Sequence, residues 1–269
     1  MSTTMKHAVI INDSVEILKS IPDESVQLII ADPPYNIDIA EWDSYDNYVE
    51  WAASWIQECF RILKKTGNLV IFGGFQFDHS GRGDLLELVH YIRHNTKFRL
   101  VNVIIWYYKN GIAARRFFSN RHEEIIWFAK TPKYLFNLDD VRIKYDNETL
   151  ALYKKDKRLD HSKLEMGKNP TNVWEISRLN SNSLERVGHP TQKPQAIIER
   201  LVKSMSNESD TVLDIFAGSG ITLKVCNKLK RNSISCDIDP MTLTYVSKQL
   251  EKERQIVNIE NTLDNFFNR

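Results

Sequence analysis

Two short runs carry functional groups at spacings that suit chemistry on a planar amine. The first is Asp32-Pro33-Pro34-Tyr35-Asn36, directly after the apolar run Val26–Ala31. Two prolines stiffen the backbone and remove two N–H donors. Carbonyl oxygens there stay available as acceptors, Asp32 adds a carboxylate, and Tyr35 offers a flat face. Such a site suits a planar molecule bearing an exocyclic NH₂ group. An aromatic amine is a poor nucleophile because its lone pair is delocalised into the ring. Hydrogen bonds from both N–H groups to Asp32 and a backbone carbonyl favour a pyramidal nitrogen, whose lone pair attacks an electrophile in line. The catalysis expected is positioning and electrostatics rather than strong-base chemistry. A rigid turn is the ordinary reading of Asp-Pro alone. Four specified residues after a buried strand weigh against it.

The second run is Asp214-Ile215-Phe216-Ala217-Gly218-Ser219-Gly220, where the strand Thr211–Asp214 enters a glycine-rich turn and then a helix. Gly218 and Gly220 let the backbone approach a ligand closely, and a helix start offers N–H donors to an anion. The turn is too short for the G-x-G-x-x-G dinucleotide fingerprint, since Leu223 stands at its third glycine, and the Gly-Lys-Ser/Thr of a P-loop is missing. Both features disfavour NAD and ATP. The next strand ends at Asp237, where an acid can accept from both hydroxyls of a ribose. A nucleoside ligand fits this turn, and a plain strand–helix packing turn fits it about as well when it is taken alone.

The elements that must position these groups alternate. Apolar runs predict strands at His7–Ile11, Val26–Ala31 and Asn68–Phe72, and further strands are read at Leu100–Tyr107, Glu124–Phe128, Thr211–Asp214 and Ser233–Asp237. Helical spacing predicts a short helix at Val15–Lys19 and longer ones over 46–64, Leu85–His94, Pro194–Met205, Thr222–Leu229 and Pro240–Arg254, with Gly67 marking the exit of the second. Strands alternating with helices imply an α/β fold, a doubly wound, mostly parallel, seven-stranded sheet covered on both faces. Residues 107–122 and 131–190 lose periodicity and read as an insertion on the domain. The expected organisation is a catalytic half over 1–106 and an inserted recognition region over 107–188, with the strand 124–128 returning to the sheet. A ligand-binding half over 189–269 completes it.

Composition is ordinary for a globular protein, with 42% hydrophobic and 26% charged residues among 269. That excludes a wholly disordered or collagen-like chain. No apolar run approaches the roughly 18 residues of a membrane span, and the N-terminus lacks a signal peptide pattern. Cys59, Cys226 and Cys236 form no C-x-x-C pair, so neither a disulfide framework nor a zinc ribbon is expected. A cytoplasmic location follows as the default. The net charge of +1 conceals an uneven distribution: −9 over residues 1–60 and +5 over residues 107–168. A basic middle suits a polyanion, although a solvated insertion gives the same pattern.

Taken together, these residues resemble the S-adenosylmethionine-dependent amino methyltransferases of DNA. They look most like the beta class of adenine-N6 enzymes from restriction–modification systems, in the RsrI-type branch. In that class a catalytic D-P-P-Y precedes F-x-G-x-G, as Asp32 precedes Phe216 here. Further hallmarks are Asn12-Asp13, Phe72-Gly73-Gly74, Arg121-His122-Glu123-Glu124 and His189-Pro190-Thr191-Gln192-Lys193-Pro194. The resemblance covers nearly the whole chain, least from Asp139 to Lys168. It implies the Rossmann-like methyltransferase fold in circularly permuted motif order, with S-adenosyl-L-methionine as cofactor and S-adenosyl-L-homocysteine as product.

The resemblance also implies roles. Asp32 holds the target amine, Pro33 contributes its carbonyl, Pro34 belongs to the same motif, and Tyr35 stacks on a flipped base. Phe216, Gly218, Ser219 and Gly220 line the methionine and ribose part of the cofactor, with Asp214 at the strand end beside them. Asp237 takes the ribose hydroxyls, Asp13 meets the cofactor adenine, and Thr191 and Lys193 contact the methionine end. Two positions depart from the family pattern. Ile215 stands where proline is usual, and Asp237 stands where many members have glutamate.

The implied partner is double-stranded DNA, whose target base must be extruded to reach Asp32. The segment 109–121 pairs positive charge with Phe117 and Phe118, and Arg115, Arg116 and Arg121 are the expected DNA contacts. Core packing is the competing reading for the two phenylalanines. An ion pair with Glu123 or Glu124 is the competing reading for Arg121. His90 and His94 stand four apart on a helix, but no third ligand accompanies them and no metal is expected. No membrane association is expected. A homodimer and a cognate restriction endonuclease are left open. Two other functions compete with adenine-N6 methylation: cytosine-N4 methylation, which D-P-P-Y rather than S-P-P-Y disfavours, and a nucleic-acid-binding relative without catalysis.

Overall fold

The computed structural model describes residues 5–36, 43, 45–75, 83–111, 113–116, 118–252 and 257–267. Among them, nine strands form one sheet. They are β1 (His7–Ile11), β2 (Val26–Ala31), β3 (Leu63–Gly73), β4 (Arg99–Tyr107), β5 (His122–Ala129), β6 (Val173–Glu175), β7 (Thr211–Asp214), β8 (Asn232–Asp237) and β9 (Ile259–Glu260). Their order is β6-β4-β5-β3-β2-β7-β8-β1-β9. Only β5 runs against its neighbours, antiparallel to both β3 and β4, while every other pair is parallel. The seven expected strands are all present. The sheet is wider than the seven-stranded expectation because two short strands extend its edges. β6 has three residues and β9 has two, too few for a hydrophobic period to emerge from sequence.

Helices cover both faces. On one lie α1 (Ser14–Lys19), α2 (Tyr48–Ile62) and α3 (Leu85–Asn95), with α9 (Leu263–Phe267) at the edge. On the other lie α6 (Gln195–Met205) and α7 (Ile221–Lys228), and α8 (Met241–Lys252) packs beside α7. The central strands split their side chains between the two cores. Ile29 and Ala31 of β2 join the α2 side, while Leu28 and Ile30 join the α6 side. All six residues of β2 are buried, which is why Leu28–Ala31 reads as an unbroken apolar run, while buried Gln27 donates to the Thr66 carbonyl at 2.9 Å.

The crossover helices leave the two central strands in opposite directions. β2 leads through α2 to β3, and β7 leads through α7 to β8, on the other face and the other side. Adjacent parallel strands whose connections diverge leave a crevice at their carboxyl ends, the place where open α/β sheets bind ligands. Asp32 follows β2 and the glycine turn follows β7, so both chemical runs open into one crevice.

Three local expectations are corrected. Helix α2 ends at Ile62, short of the helix expected over 46–64, because Leu63 already has extended backbone and begins β3. Gly67 serves a tight β3 bend, where a Cβ would lie 2.8 Å from Leu63 Cδ2 and 2.9 Å from the Lys64 carbonyl. The stretch 131–190 is not without regular structure. It holds a short 3₁₀ turn at Leu138–Val141, α4 (Asn147–Tyr153), α5 (His161–Met166) and β6. The sheet therefore continues into the inserted segment, where Trp106 Nε1 donates to the Ile176 carbonyl at 2.7 Å. Phe117 and the last two residues of the helix expected over 240–254 lie outside the described residues.

Candidate active site

A cavity of about 600 Å³ opens in this crevice, lined on one side by Asp32-Pro33-Pro34-Tyr35 and on the other by Asp214 through Ser219. The Asp32 loop is held from behind. Asn36 adopts a left-handed backbone (φ 58°), and its side chain donates to the Tyr45 carbonyl (3.0 Å) and accepts from the Tyr45 amide (2.8 Å). Tyr48 donates its hydroxyl to the Pro34 carbonyl at 2.9 Å. That commits the Pro34 carbonyl to the scaffold, and Pro33 lines the cavity beside Asp32.

Asp32 sits in a compact charge cluster. Lys193 Nζ lies 2.9 Å from Asp32 Oδ1 and 3.5 Å from Glu123 Oε2. The Tyr35 hydroxyl stands between the same two carboxylates, 3.1 Å from Asp32 Oδ1 and 3.2 Å from Glu123 Oε2. The ammonium also lies over the rings of Tyr35 (5.1 Å) and Phe72 (5.4 Å). Burial alone would lower the Lys193 pKa, but the Asp32 and Glu123 carboxylates outweigh it and the net shift is upward. Burial, with both carboxylates adding to it, pushes the Tyr35 phenol well above its ordinary value. Lys193 is therefore charged and Tyr35 neutral across the physiological range.

Glu123 reaches this cluster because β5 is reversed. Its beginning lies at the edge where parallel strands end, with Glu124 opposite Gly73 of β3 and His122 opposite Tyr107 of β4. In the sequence Glu123 stands within a hallmark run and as an ion-pair candidate for Arg121, not as part of the Asp32 site. An acid at a strand's start signals the binding edge only once that strand is known to be antiparallel. Glu124 also lines the cavity, but it is buried and its carboxylate is taken up by His122 Nδ1 at 2.8 Å.

The glycine turn is built for close approach. Gly218 (φ 43°) and Gly220 (φ 71°) are both left-handed. A Cβ on Gly220 would lie 2.4 Å from Val246 Cγ2, and one on Gly218 would lie 2.9 Å from His189 Nε2. The Gly218 amide donates to Asp237 Oδ2 at 2.6 Å, and Asp237 Oδ1 accepts from the Asp239 amide at 2.9 Å. The carboxylate expected to take ribose hydroxyls is thus fixed at the rim of the turn, with acceptor capacity left on each oxygen. Asp214 is buried. Thr222 donates to its Oδ2 at 2.5 Å and the Phe216 amide to its Oδ1 at 3.3 Å. Burial raises the Asp214 carboxyl to about 7 against these two hydrogen bonds.

The remaining expected residues fall around the same cavity. Asp13 caps α1 by accepting from the Val15 and Glu16 amides, and it lines the cavity with Thr191 and Ser219. Lys193 is drawn to the Asp32 side of the cavity by its ion pair. An aromatic wall that sequence reading does not single out backs the turn. Phe216 packs on Trp51 (5.8 Å) and Trp55 (5.7 Å), and Trp51 stacks on Tyr45 (4.2 Å). Acidic groups with aromatic faces make a donor set that fits a cationic nucleoside such as S-adenosylmethionine. Asp13, Phe216, Gly218, Ser219 and Asp237 line the part of the cavity that would receive one.

Arg115 and Arg116 are exposed, and Phe118 is 98% exposed, which removes core packing as its role; none of the three lines the cavity, which this segment reaches through Asn120. Arg121 packs over Gly111, donates to the Asn120 carbonyl (3.3 Å), and is half-buried. Arg178 lies over the Tyr108 ring at 5.1 Å and lines the cavity, a basic group the sequence reading misses. Among the described residues no helix is long and apolar enough to cross a membrane.

Comparison with known proteins fits this geometry. The family model described as DNA methylase matches residues 26–248. The chain is 34% identical over 257 residues to the Type II methyltransferase M.HpaI of Haemophilus parainfluenzae, covering 93% of this chain and 76% of that protein. It is 33% identical over 244 residues to the DNA adenine methyltransferase YhdJ of Escherichia coli strain K12, covering 86% and 78%. Among solved structures, the PvuII DNA methyltransferase, named as cytosine-N4-specific, superposes with a TM-score of 0.70 at 21% identity. That match covers 92% of this chain and 87% of the other.

Proposed function

This chain belongs to the DNA methylase family, and from that premise we propose that it transfers a methyl group from S-adenosylmethionine to the N6 amine of an adenine flipped out of double-stranded DNA. The observation that carries the proposal is the facing of Asp32 and the Phe216–Ser219 turn across one cavity. When bound, S-adenosylmethionine supplies an electrophilic methyl on a sulfonium. Asp32 and the Pro33 carbonyl accept the two N–H groups of the amine and aim its lone pair across the crevice. Carbon–nitrogen bond formation puts positive charge on the amine nitrogen, and the Asp32 carboxylate stabilises that charge as it develops. The surplus proton leaves from that nitrogen to the carboxylate and then to solvent. Tyr35 and Phe72 flank the amine site and exclude water, and Tyr35 supplies the stacking face that offsets part of the few kcal/mol of base extrusion.

Adenine rather than cytosine is supported by Asp32 at the first position of D-P-P-Y and by the likeness to a protein named as an adenine methyltransferase. The likeness to a cytosine-N4 enzyme is one of fold. Arg115, Arg116, Arg121 and Arg178 are proposed to meet DNA, with the segment 107–188 as recognition region. The resemblance to restriction–modification enzymes extends the proposal to a cognate endonuclease cutting the same site.

Sequencing of unmethylated DNA treated with the purified protein and S-adenosylmethionine, with detection of modified bases, tests the reading. N6-methyladenine at a defined site is expected. N4-methylcytosine alone would replace the proposal with the cytosine reading.

A further inference from the structure

The charge cluster at Asp32 raises a competition that the transfer reaction must resolve. The oxygen that would accept the target's N–H, Asp32 Oδ1, is the one 2.9 Å from Lys193 Nζ. The same ammonium lies over the Tyr35 ring, the face on which a flipped base would stack. A base that enters must move the ammonium. Lys193 is buried, so its charge needs another anionic partner inside the protein. Glu123 Oε2 stands 3.5 Å from the same nitrogen, and Tyr35 bridges the two carboxylates through its hydroxyl. Moving the ammonium from one carboxylate to the other needs a small side-chain shift and leaves the net charge of the site unchanged. His189, Asp214 and Asp237 also line the cavity.

We propose that Lys193 and Glu123 form an ammonium relay that governs entry to the active site: Lys193 holds Asp32 until the target amine takes that oxygen, and then passes to Glu123. The relay rests on the methyltransferase reading above. It makes both residues positioning groups rather than groups that react, and it separates Lys193 from the methionine end of the cofactor. The relay also favours a correctly extruded amine. Only a group that replaces the ammonium's hydrogen bond to Asp32 can open the site at low cost.

The relay predicts an unusual pattern in a double-mutant cycle. In Glu123→Gln the ammonium loses its second ion-pair partner and stays on Asp32, the carboxylate it already touches. The KM for DNA should then rise about tenfold or more, with a smaller change in kcat. Adding Lys193→Met removes the competitor, so K193M/E123Q should bind and methylate DNA better than E123Q alone. A merely structural pair would give a double variant no better than either single one. Glu123→Asp should restore part of the loss.

The assay is incorporation of labelled methyl into unmethylated genomic DNA, with S-adenosylmethionine binding and thermal unfolding measured on each variant. K193M should retain cofactor binding. If K193M/E123Q does not fold, K193Q/E123Q carries the same comparison. An active wild type whose double variant is no better than E123Q, or whose K193M loses cofactor binding, overturns the relay alone. An inactive wild type overturns the function on which it rests.

Discussion

Thr222 in the first turn of α7 donates its hydroxyl to Asp214 Oδ2, the last residue of β7, at 2.5 Å. The bond spans the glycine turn and fixes its two ends on a buried carboxyl. That carboxyl is raised to about 7, chiefly by burial. An unfolded aspartate titrates near pH ~3.9, so the folded state binds the proton more tightly. The group's contribution to stability is full below about pH 4 and is lost as pH rises through about 7. Asp214→Asn should remove that pH dependence, so denaturant unfolding should show wild type losing stability relative to the variant across this window. A constant difference would contradict the assignment.

The two left-handed glycines set a second expectation. Alanine at Gly220 would meet Val246 at 2.4 Å, and alanine at Gly218 would meet the movable ring of His189. Each also carries a left-handed cost of roughly 1–2 kcal/mol. Gly220→Ala should be the more destabilising, because Val246 sits on a packed helix. Both should weaken S-adenosylmethionine binding, measured by calorimetric titration beside the unfolding curves.

Tyr35 serves through two parts that substitution can separate. Tyr35→Phe keeps the ring but loses the hydroxyl bridge between Asp32 and Glu123. Tyr35→Ala loses both, and base–aromatic stacking is worth about 1–3 kcal/mol. With 2-aminopurine at the target position, the flipping signal should survive in the phenylalanine variant and fall in the alanine variant.

Arg115 and Arg116 are exposed, beside the fully exposed Phe118. If they meet phosphates, each alanine variant should weaken binding on all DNA sequences and reduce the salt-dependence slope by about 1. Loss confined to the methylation site, with an unchanged slope, would assign them to base readout.

Much of this was legible in the residues. β2 is recognisable because a strand buried on both faces leaves an apolar run, here Leu28–Ala31, and β7 because Val212-Leu213 leads straight into the glycine turn; the groups at their ends mark the binding edge. What stayed hidden depends on partners distant in sequence. Glu123 becomes an active-site acid only through the reversed direction of β5, which no local pattern reveals. Lys193 is expected at the methionine end of the cofactor, and its ion pair with Asp32 joins residues too far apart in sequence for any local pattern to show. Gly67 looks like a helix stop, whereas the helix ends five residues earlier because Leu63 is taken into the sheet. Ile215, which departs from the usual proline, gains a reason: its amide donates to the Ile30 carbonyl at 3.2 Å, a bond between β7 and β2 that proline cannot make.

The central claim is that Asp32 grips the amine while the glycine turn holds the methyl donor. Single-turnover methyl transfer by Asp32→Ala, with cofactor affinity measured on the same sample, tests it most directly. Unaltered S-adenosylmethionine binding with transfer reduced by about 10²–10³ or more is the expected result. Full transfer activity in that variant would contradict the mechanism.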